Sequence, residues 1–157
     1  MSAAVPNSLL EDAQRALARG RARETEELCL RLVEANPKDA RGWYLLGLAQ
    51  QKLGKPGEAV QAFVKASTLE RGEARYHHDL GSALADDGKL DRAITSFRRA
   101  LRIDDSLAEA HNALGTASLL ELARAYAAAS RTQRSVVFLS PTAEEKGLLG
   151  SEYYTQH

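Results

Sequence analysis

The chain has a single cysteine, Cys29, in 157 residues. One thiol excludes an internal disulfide framework. Cys29 falls where later copies of an internal pattern carry Phe63 and Phe97, so it reads as a packed apolar residue and not a reactive thiol. A charge of one sign is also missing. Lys plus Arg and Asp plus Glu are 21 each, which removes any broad pull toward nucleic acid or anionic membrane. No apolar run reaches the roughly 18 residues of a membrane span. MSAAVPNSLL lacks a basic n-region and a long apolar h-region, so no secretory signal is visible and a cytoplasmic location is expected. Four prolines and 44% hydrophobic residues fit a folded chain of ordinary domain size. No Gly-rich phosphate loop is present, and four scattered histidines support no Ser–His–Asp arrangement. Arg98, Arg99 and Arg102 share one helix but are followed by Asp104 and Asp105, as on a solvated helix face.

What the chain does have is a 34-residue period. Trp43, Leu46 and Gly47 are followed by Ala59, Phe63 and Ala66. One period later the same offsets carry His77, Leu80, Gly81, Ala93, Phe97 and Ala100. One period earlier stand Leu9, Asp12, Ala13, Thr25, Cys29 and Leu32. A fourth copy begins with His111, Leu114 and Gly115 and then loses the pattern. Large and small residues repeating at this spacing indicate stacked helical hairpins.

Each period reads as two helices. In the second copy, helix A covers roughly 40–53 and helix B roughly 57–70, with Gly54-Lys55-Pro56-Gly57 between them. Gly20 and Gly88 hold the place of Gly54 in their own copies, and Pro37 stops the first helix B. Asn36 and Asp39 suit the following turn and N-cap. Gly47 and Gly81 are expected where helix B crosses closely, faced by Ala59 and Ala93, with Phe63 and Phe97 filling the next turn. Trp43, His77 and His111 share a position where a flat ring is expected between neighbouring helices.

This pattern resembles the tetratricopeptide repeat family over about 6–118, strongly in the second and third copies and less so in the first. The resemblance implies an all-α right-handed solenoid of three full repeats and a partial fourth, held mainly by nearest-neighbour interfaces. It also implies a concave face lined by the A helices, of the kind that binds a peptide or a partner protein. Projected onto this chain, that face comprises Leu10, Gln14, Arg41, Tyr44, Leu48, Arg75, His78 and Ser82, with Asn112 extending it. A solvated face without a ligand is the other reading of the same positions. The carboxylate clamp of this family's chaperone co-factors is not expected. Only Arg75 matches it in charge, and Leu10, Gln14, Leu45 and Asp79 depart from it. No cofactor is expected for the repeats.

From about Gly115 the sequence changes type. GTASLLELARAYAAAS reads as a helix over roughly 116–129, continuing a long helix from about 108 that covers Ile94, Phe97 and Leu101. RSVVFLS reads as a buried strand over roughly 134–140, and the following segment as a loop entering a helix over roughly 146–155. Helix, strand and helix form a short α/β-type tail, so the expected domains are 1–118 and 119–157. The unpaired strand edge at 134–140 is an expected self-association site.

The stretch ending in Thr142-Ala143-Glu144-Glu145-Lys146-Gly147-Leu148-Leu149-Gly150-Ser151 resembles the co-catalytic zinc aminopeptidases, leucyl aminopeptidase-like Zn-dependent exopeptidases, over about 112–157. The resemblance implies that Glu144 is a general base on metal-bound water and Glu145 a zinc ligand. The departures are large. His111 and Leu114 stand where the family has the Asp and Ser of an Asp-Asn-Ala-Ser-Gly motif, the upstream His-x-Asp segment is replaced by repeats, and the downstream Asp and His ligands are expected to fall beyond His157. Zinc takes about four ligands, so it is expected only if other residues complete the set. His111 equally fits the ring position of the repeat, and His157 reads as a chain end rather than a ligand. The stretch His111-Asn112-Ala113-Leu114-Gly115 satisfies the repeat and half-satisfies the peptidase motif, as a fusion at a shared segment would. Three functions follow: a repeat scaffold that binds protein or peptide; a zinc aminopeptidase or an inactive piece of one; or a truncated fusion with no function as a unit. Nucleic acid and membrane are not expected partners.

Overall fold

The computed structural model describes residues 4–132, with side chains described over 8–129. Every regular element among these residues is an α-helix: α1 Ala4–Ala18, α2 Ala22–Ala35, α3 Ala40–Lys52, α4 Pro56–Leu69, α5 Ala74–Asp86, α6 Leu90–Ile103 and α7 Ala108–Thr132. The strand expected at 134–140 and the helix expected at 146–155 lie outside the described residues. Contacts divide the chain into two units, Met1–Glu121 and Leu122–His157, and the helical stack lies in the first.

Three hairpins, α1–α2, α3–α4 and α5–α6, make up that stack, joined by packing of α2 on α3 and of α4 on α5. The turns inside the hairpins share one chemistry. Gly54 and Gly88 hold φ of 72° and 75°, a left-handed conformation that costs other residues about 1–2 kcal/mol. Behind each, a backbone N–H reaches five residues back, Lys55 to Gln50 O at 2.9 Å and Lys89 to Leu84 O at 2.8 Å, so the last carbonyls of α3 and α5 are satisfied. Pro56 then occupies the first turn of α4, where its missing N–H is harmless. Asp39 caps α3 by accepting from Arg41 N at 3.0 Å.

Inside a hairpin the nearest neighbours of Gly47 and Gly81 are the rings of Phe63 and Phe97. A Cβ on Gly47 would lie 2.6 Å from Phe63 Cε1, so the absent side chain is the seat of the ring. Both rings are among the most buried side chains, each contributing about 1.5–3 kcal/mol by burial. Ala59 and Ala93 are fully buried beside them. Cys29 takes the ring's place in the first hairpin and is fully buried, and burial pushes its thiol up to about 12.

The shared ring position behaves differently from the expectation. Trp43 Nε1 donates to Pro37 O at 2.9 Å, and His111 Nε2 donates to Asp105 O at 2.8 Å, each six residues back. His77 hydrogen-bonds the backbone of Arg71 at the same offset. The ring therefore ties down a carbonyl in the turn between hairpins. Only His77 is fully inside; His111 is exposed.

α7 does not turn where α3 and α5 do. Leu122 stands one period beyond Gly88, and a leucine resists the left-handed conformation, so the helix runs on to Thr132. Its first half packs Ala117, Ala113 and Leu114 against the cluster that holds Phe97, Ala93 and Ile94.

Candidate functional site

α3 and α5 carry the expected groove residues in matching pairs: Arg41 with Arg75, Tyr44 with His78, and Leu48 with Ser82, each one period apart. Arg41 and Arg75 are exposed; Tyr44, Leu48, His78 and Ser82 are half-buried. Gln14 and Asn112 are exposed on α1 and α7. Leu10 is 6% exposed and packs with Ala13, Cys29 and Leu32, so it belongs to the core.

Asp79 organises this face. Its Oδ2 accepts from the Tyr44 hydroxyl at 2.6 Å, and its Oδ1 accepts from His78 Nδ1 at 2.8 Å. The first bond joins one repeat to the next, and Gln51 Nε2 donating to Asp86 Oδ2 at 2.9 Å repeats the same 35-residue step. Tyr44 stacks on Tyr76 with ring centroids 4.5 Å apart and leans on Phe63 at 5.8 Å; His78 leans on Phe97 at 5.7 Å. Burial and then the bond to Asp79 push the Tyr44 phenol well above its ordinary 10.0, so it stays a donor. Burial and then Glu70 push Tyr76 up to about 12.

The two arginines are used differently. Arg41 forks onto Asp39, Nε to Oδ1 at 3.1 Å and Nη2 to Oδ2 at 3.0 Å. That pair holds the Asp39 carboxyl below its ordinary 3.8. Arg75 has no carboxylate partner among the described residues, and it lies close enough to Tyr44 to act on the phenol electrostatically. Among the described residues the face thus presents Arg75 as a cation without a carboxylate beside an aromatic floor, with both oxygens of Asp79 already hydrogen-bonded.

A second concavity of about 510 Å³ lies between the α4–α5 turn and α6, lined by Arg71, Arg99 and Arg102 around His77, Ser67 and Ile103. Arg99 and Arg102 therefore border a cleft where the sequence suggested only a solvated face.

The expected zinc constellation is not assembled by the described residues. Glu144 and Glu145 lie outside them, and among them no three His, Cys, Asp or Glu side chains gather. His111, in the place of the family's bridging Asp, has its Nε2 engaged by Asp105 O. No helix among the described residues is long and apolar enough to cross a membrane.

Sequence reasoning named Tyr44, Arg75 and His78 but not the role of Asp79 or Gln51. The signal for both was available: a Tyr–Asp and a Gln–Asp pair sit at the repeat period plus one.

A tetratricopeptide repeat profile matches residues 28–61, a TPR repeat profile matches 81–119, and that of peptidase family M28 matches 110–157. The chain thus carries tetratricopeptide repeats joined to a peptidase-like segment. Among solved structures, a mutant O-GlcNAc transferase of Thermobaculum terrenum is 33% identical with a TM-score of 0.69. That match covers 74% of this chain and 22% of the transferase chain, so this chain spans about a fifth of its length. The second TPR domain of human RPAP3, in complex with an HSP70 peptide, is 20% identical with a TM-score of 0.67, covering 72% and 98% of the two chains. The Yersinia enterocolitica secretion chaperone SycD, in complex with a peptide of the translocator YopD, is 17% identical with a TM-score of 0.67, covering 73% and 93%. At those identities the last two show the fold alone. No curated protein matches the chain.

Proposed function

We propose that residues 1–118 form a scaffold that binds a peptide or a partner protein along the face of α3 and α5. The observation that carries this reading is Arg75, an exposed guanidinium without a carboxylate partner among the described residues, set beside the Tyr44–Asp79–His78 network. A network whose acid is already hydrogen-bonded at both oxygens suits a ligand that brings its own acid to Arg75. Leu48 and Ser82 extend the face on the next turn, and Gln14 and Asn112 flank it. Two of the structural neighbours hold peptides, which supports this use of the fold.

The binding is testable by selecting peptides from a random displayed library on the full chain. The selected peptides lose binding to a variant with Arg41, Tyr44 and Arg75 changed to Ala. Peptides that bind that variant equally would place the site elsewhere.

The match to peptidase family M28 favours a second reading for 119–157, a fragment of a zinc aminopeptidase with the helix–strand–helix order of that resemblance. In it, Glu144 would be the general base and Glu145 a zinc ligand. Repeats stand where the family has its upstream His-x-Asp and His111 stands where it has its bridging Asp, so within residues 1–157 the reading is of an incomplete ligand set that other residues would have to complete. Zinc titration by calorimetry with leucine-para-nitroanilide turnover tests it; stoichiometric zinc and cleavage abolished by Glu144→Gln would make the chain an enzyme.

A further inference from the structure

We propose that the cleft bordered by Arg71, Arg99 and Arg102 binds a phosphate monoester group. It shares no residue with the face of α3 and α5, and all of its lining residues belong to the first unit. The inference starts from charge. Acids and bases balance over the whole chain, 21 against 21, yet three guanidiniums border one concavity of about 510 Å³ and no acid lines it. Arg71 comes from the turn between α4 and α5, whereas Arg99 and Arg102 are three apart on α6 and so share one helix face. None of the three forms an ion pair among the described residues. The acids nearest Arg71 and Arg102 in sequence are used elsewhere. Glu70 borders a different depression with Asp39 and Arg41, and Asp104 accepts from Ser106 N at 3.0 Å and Ser106 Oγ at 2.7 Å.

The cleft is a departure from the repeat. One period earlier, the positions of Arg71, Arg99 and Arg102 hold Pro37, Lys65 and Thr68, and Glu34 stands in the place of Thr68. One cation and one acid there correspond to three cations here. Trp43 holds the place of His77. An imidazole is smaller than an indole, so room opens at the junction where the cations are added. One period later Asp105 replaces Arg71, which reverses that charge.

His77 marks the same place independently. It is 5% exposed, and its Nδ1 is buried with no hydrogen-bond partner among the described residues. Arg99 lies close enough to act on the ring electrostatically. A buried nitrogen with its bonding capacity unused is uncommon in a finished core. The hydroxyls of Ser67 and Thr68 both donate to Val64 O, at 3.2 and 2.7 Å, which leaves the guanidiniums as the side-chain donors of the wall. Guanidiniums fork onto carboxylate and phosphate alike. Three of them exceed the single charge of a carboxylate and suit a phosphate monoester, which carries about two at neutral pH. Ile103, 41% exposed on the rim, offers the carbon side of an ester a surface that inorganic phosphate cannot use.

Calorimetry of the full chain tests the site with glycerol 2-phosphate, inorganic phosphate, and a capped Ala-Ser-Ala tripeptide with and without phosphate on its serine. Both esters are expected to bind at one site with Kd of roughly 1 mM or tighter, inorganic phosphate more weakly, and the unphosphorylated tripeptide not at all. A phosphorylated tripeptide about tenfold tighter than glycerol 2-phosphate assigns the group to a modified protein, and equal affinities assign it to a small molecule. Arg71→Gln, Arg99→Gln and Arg102→Gln each weaken binding about fivefold or more, with unchanged far-UV circular dichroism. Arg98→Gln, on the same helix but outside the cleft wall, leaves it within about twofold and so separates a site from general charge. His77→Trp, which copies Trp43, closes the room and abolishes binding in a folded chain. In the wild type, the His77 ring signals in NMR shift along the same saturation curve. No saturable binding of either ester, equal binding of the unphosphorylated tripeptide, or a loss in Arg98→Gln as large as that in Arg99→Gln overturns the proposal.

Discussion

The ring of Phe63 occupies the volume that a side chain on Gly47 would need, and Phe97 stands in the same relation to Gly81, with Cε1 2.5 Å from the would-be Cβ. Gly47→Ala and Gly81→Ala therefore force a buried ring to move. Overpacking of this kind costs about 1–3 kcal/mol, offset by about 0.5–1 kcal/mol from replacing a helical glycine. The net loss appears as a lower urea midpoint. Gly115→Ala meets no neighbour among the described residues and raises the midpoint instead. A common sign for all three substitutions would show that the rings do not set the glycine requirement.

Tyr44→Phe removes the donor to Asp79 Oδ2 and leaves half of a partly buried carboxylate unsatisfied. A hydrogen bond to a charged group contributes about 1.5–3 kcal/mol, so denaturation should show a loss of that order. Asp79→Asn in the Tyr44→Phe background should add less than it does alone, because the two groups share one interaction. Strict additivity would argue that the bond contributes nothing to joining the repeats.

His77 gives the fold a pH dependence. It is buried, its Nδ1 has no hydrogen-bond partner, and burial lowers its pKa below the ordinary 6.5, with Arg99 acting in the same direction. The unfolded chain then binds the proton more readily than the folded one. His77's contribution is intact above 6.5 and is lost as pH falls from there toward the depressed value, by about 1.4 kcal/mol per unit of depression. Urea midpoints should fall across that window and the slope should flatten in His77→Gln. An equal slope in the variant would assign the effect to other groups.

Much of the stack was legible in the sequence because its interfaces depend on size at fixed offsets. Gly47 with Phe63 and Gly81 with Phe97 repeat faithfully, and Gly54 and Gly88 mark turns that only glycine makes easily. The groove was legible less fully. Position within a helix placed Arg41, Tyr44, Arg75 and His78 on one face, but whether a cation is committed depends on an acid nearby in space. Asp39 engages Arg41, and no such partner meets Arg75 among the described residues. Leu10 followed the repeat register into the groove set, yet in the first hairpin that position turns inward against Cys29 and Leu32. The ring position looked like packing alone because a Trp–His–His series says nothing about the carbonyl six residues back.

The most direct test of the binding face is a double-mutant cycle between Arg75 and the acidic residue of a selected peptide. Binding is measured by calorimetry for the full chain and Arg75→Glu, each with the acidic peptide and with its Lys-substituted form. The account predicts that each single reversal weakens binding at least about tenfold, or 1.4 kcal/mol, and that the double reversal recovers most of it. Effects of the two changes that simply add, with no recovery, would contradict a ligand seated on α3 and α5.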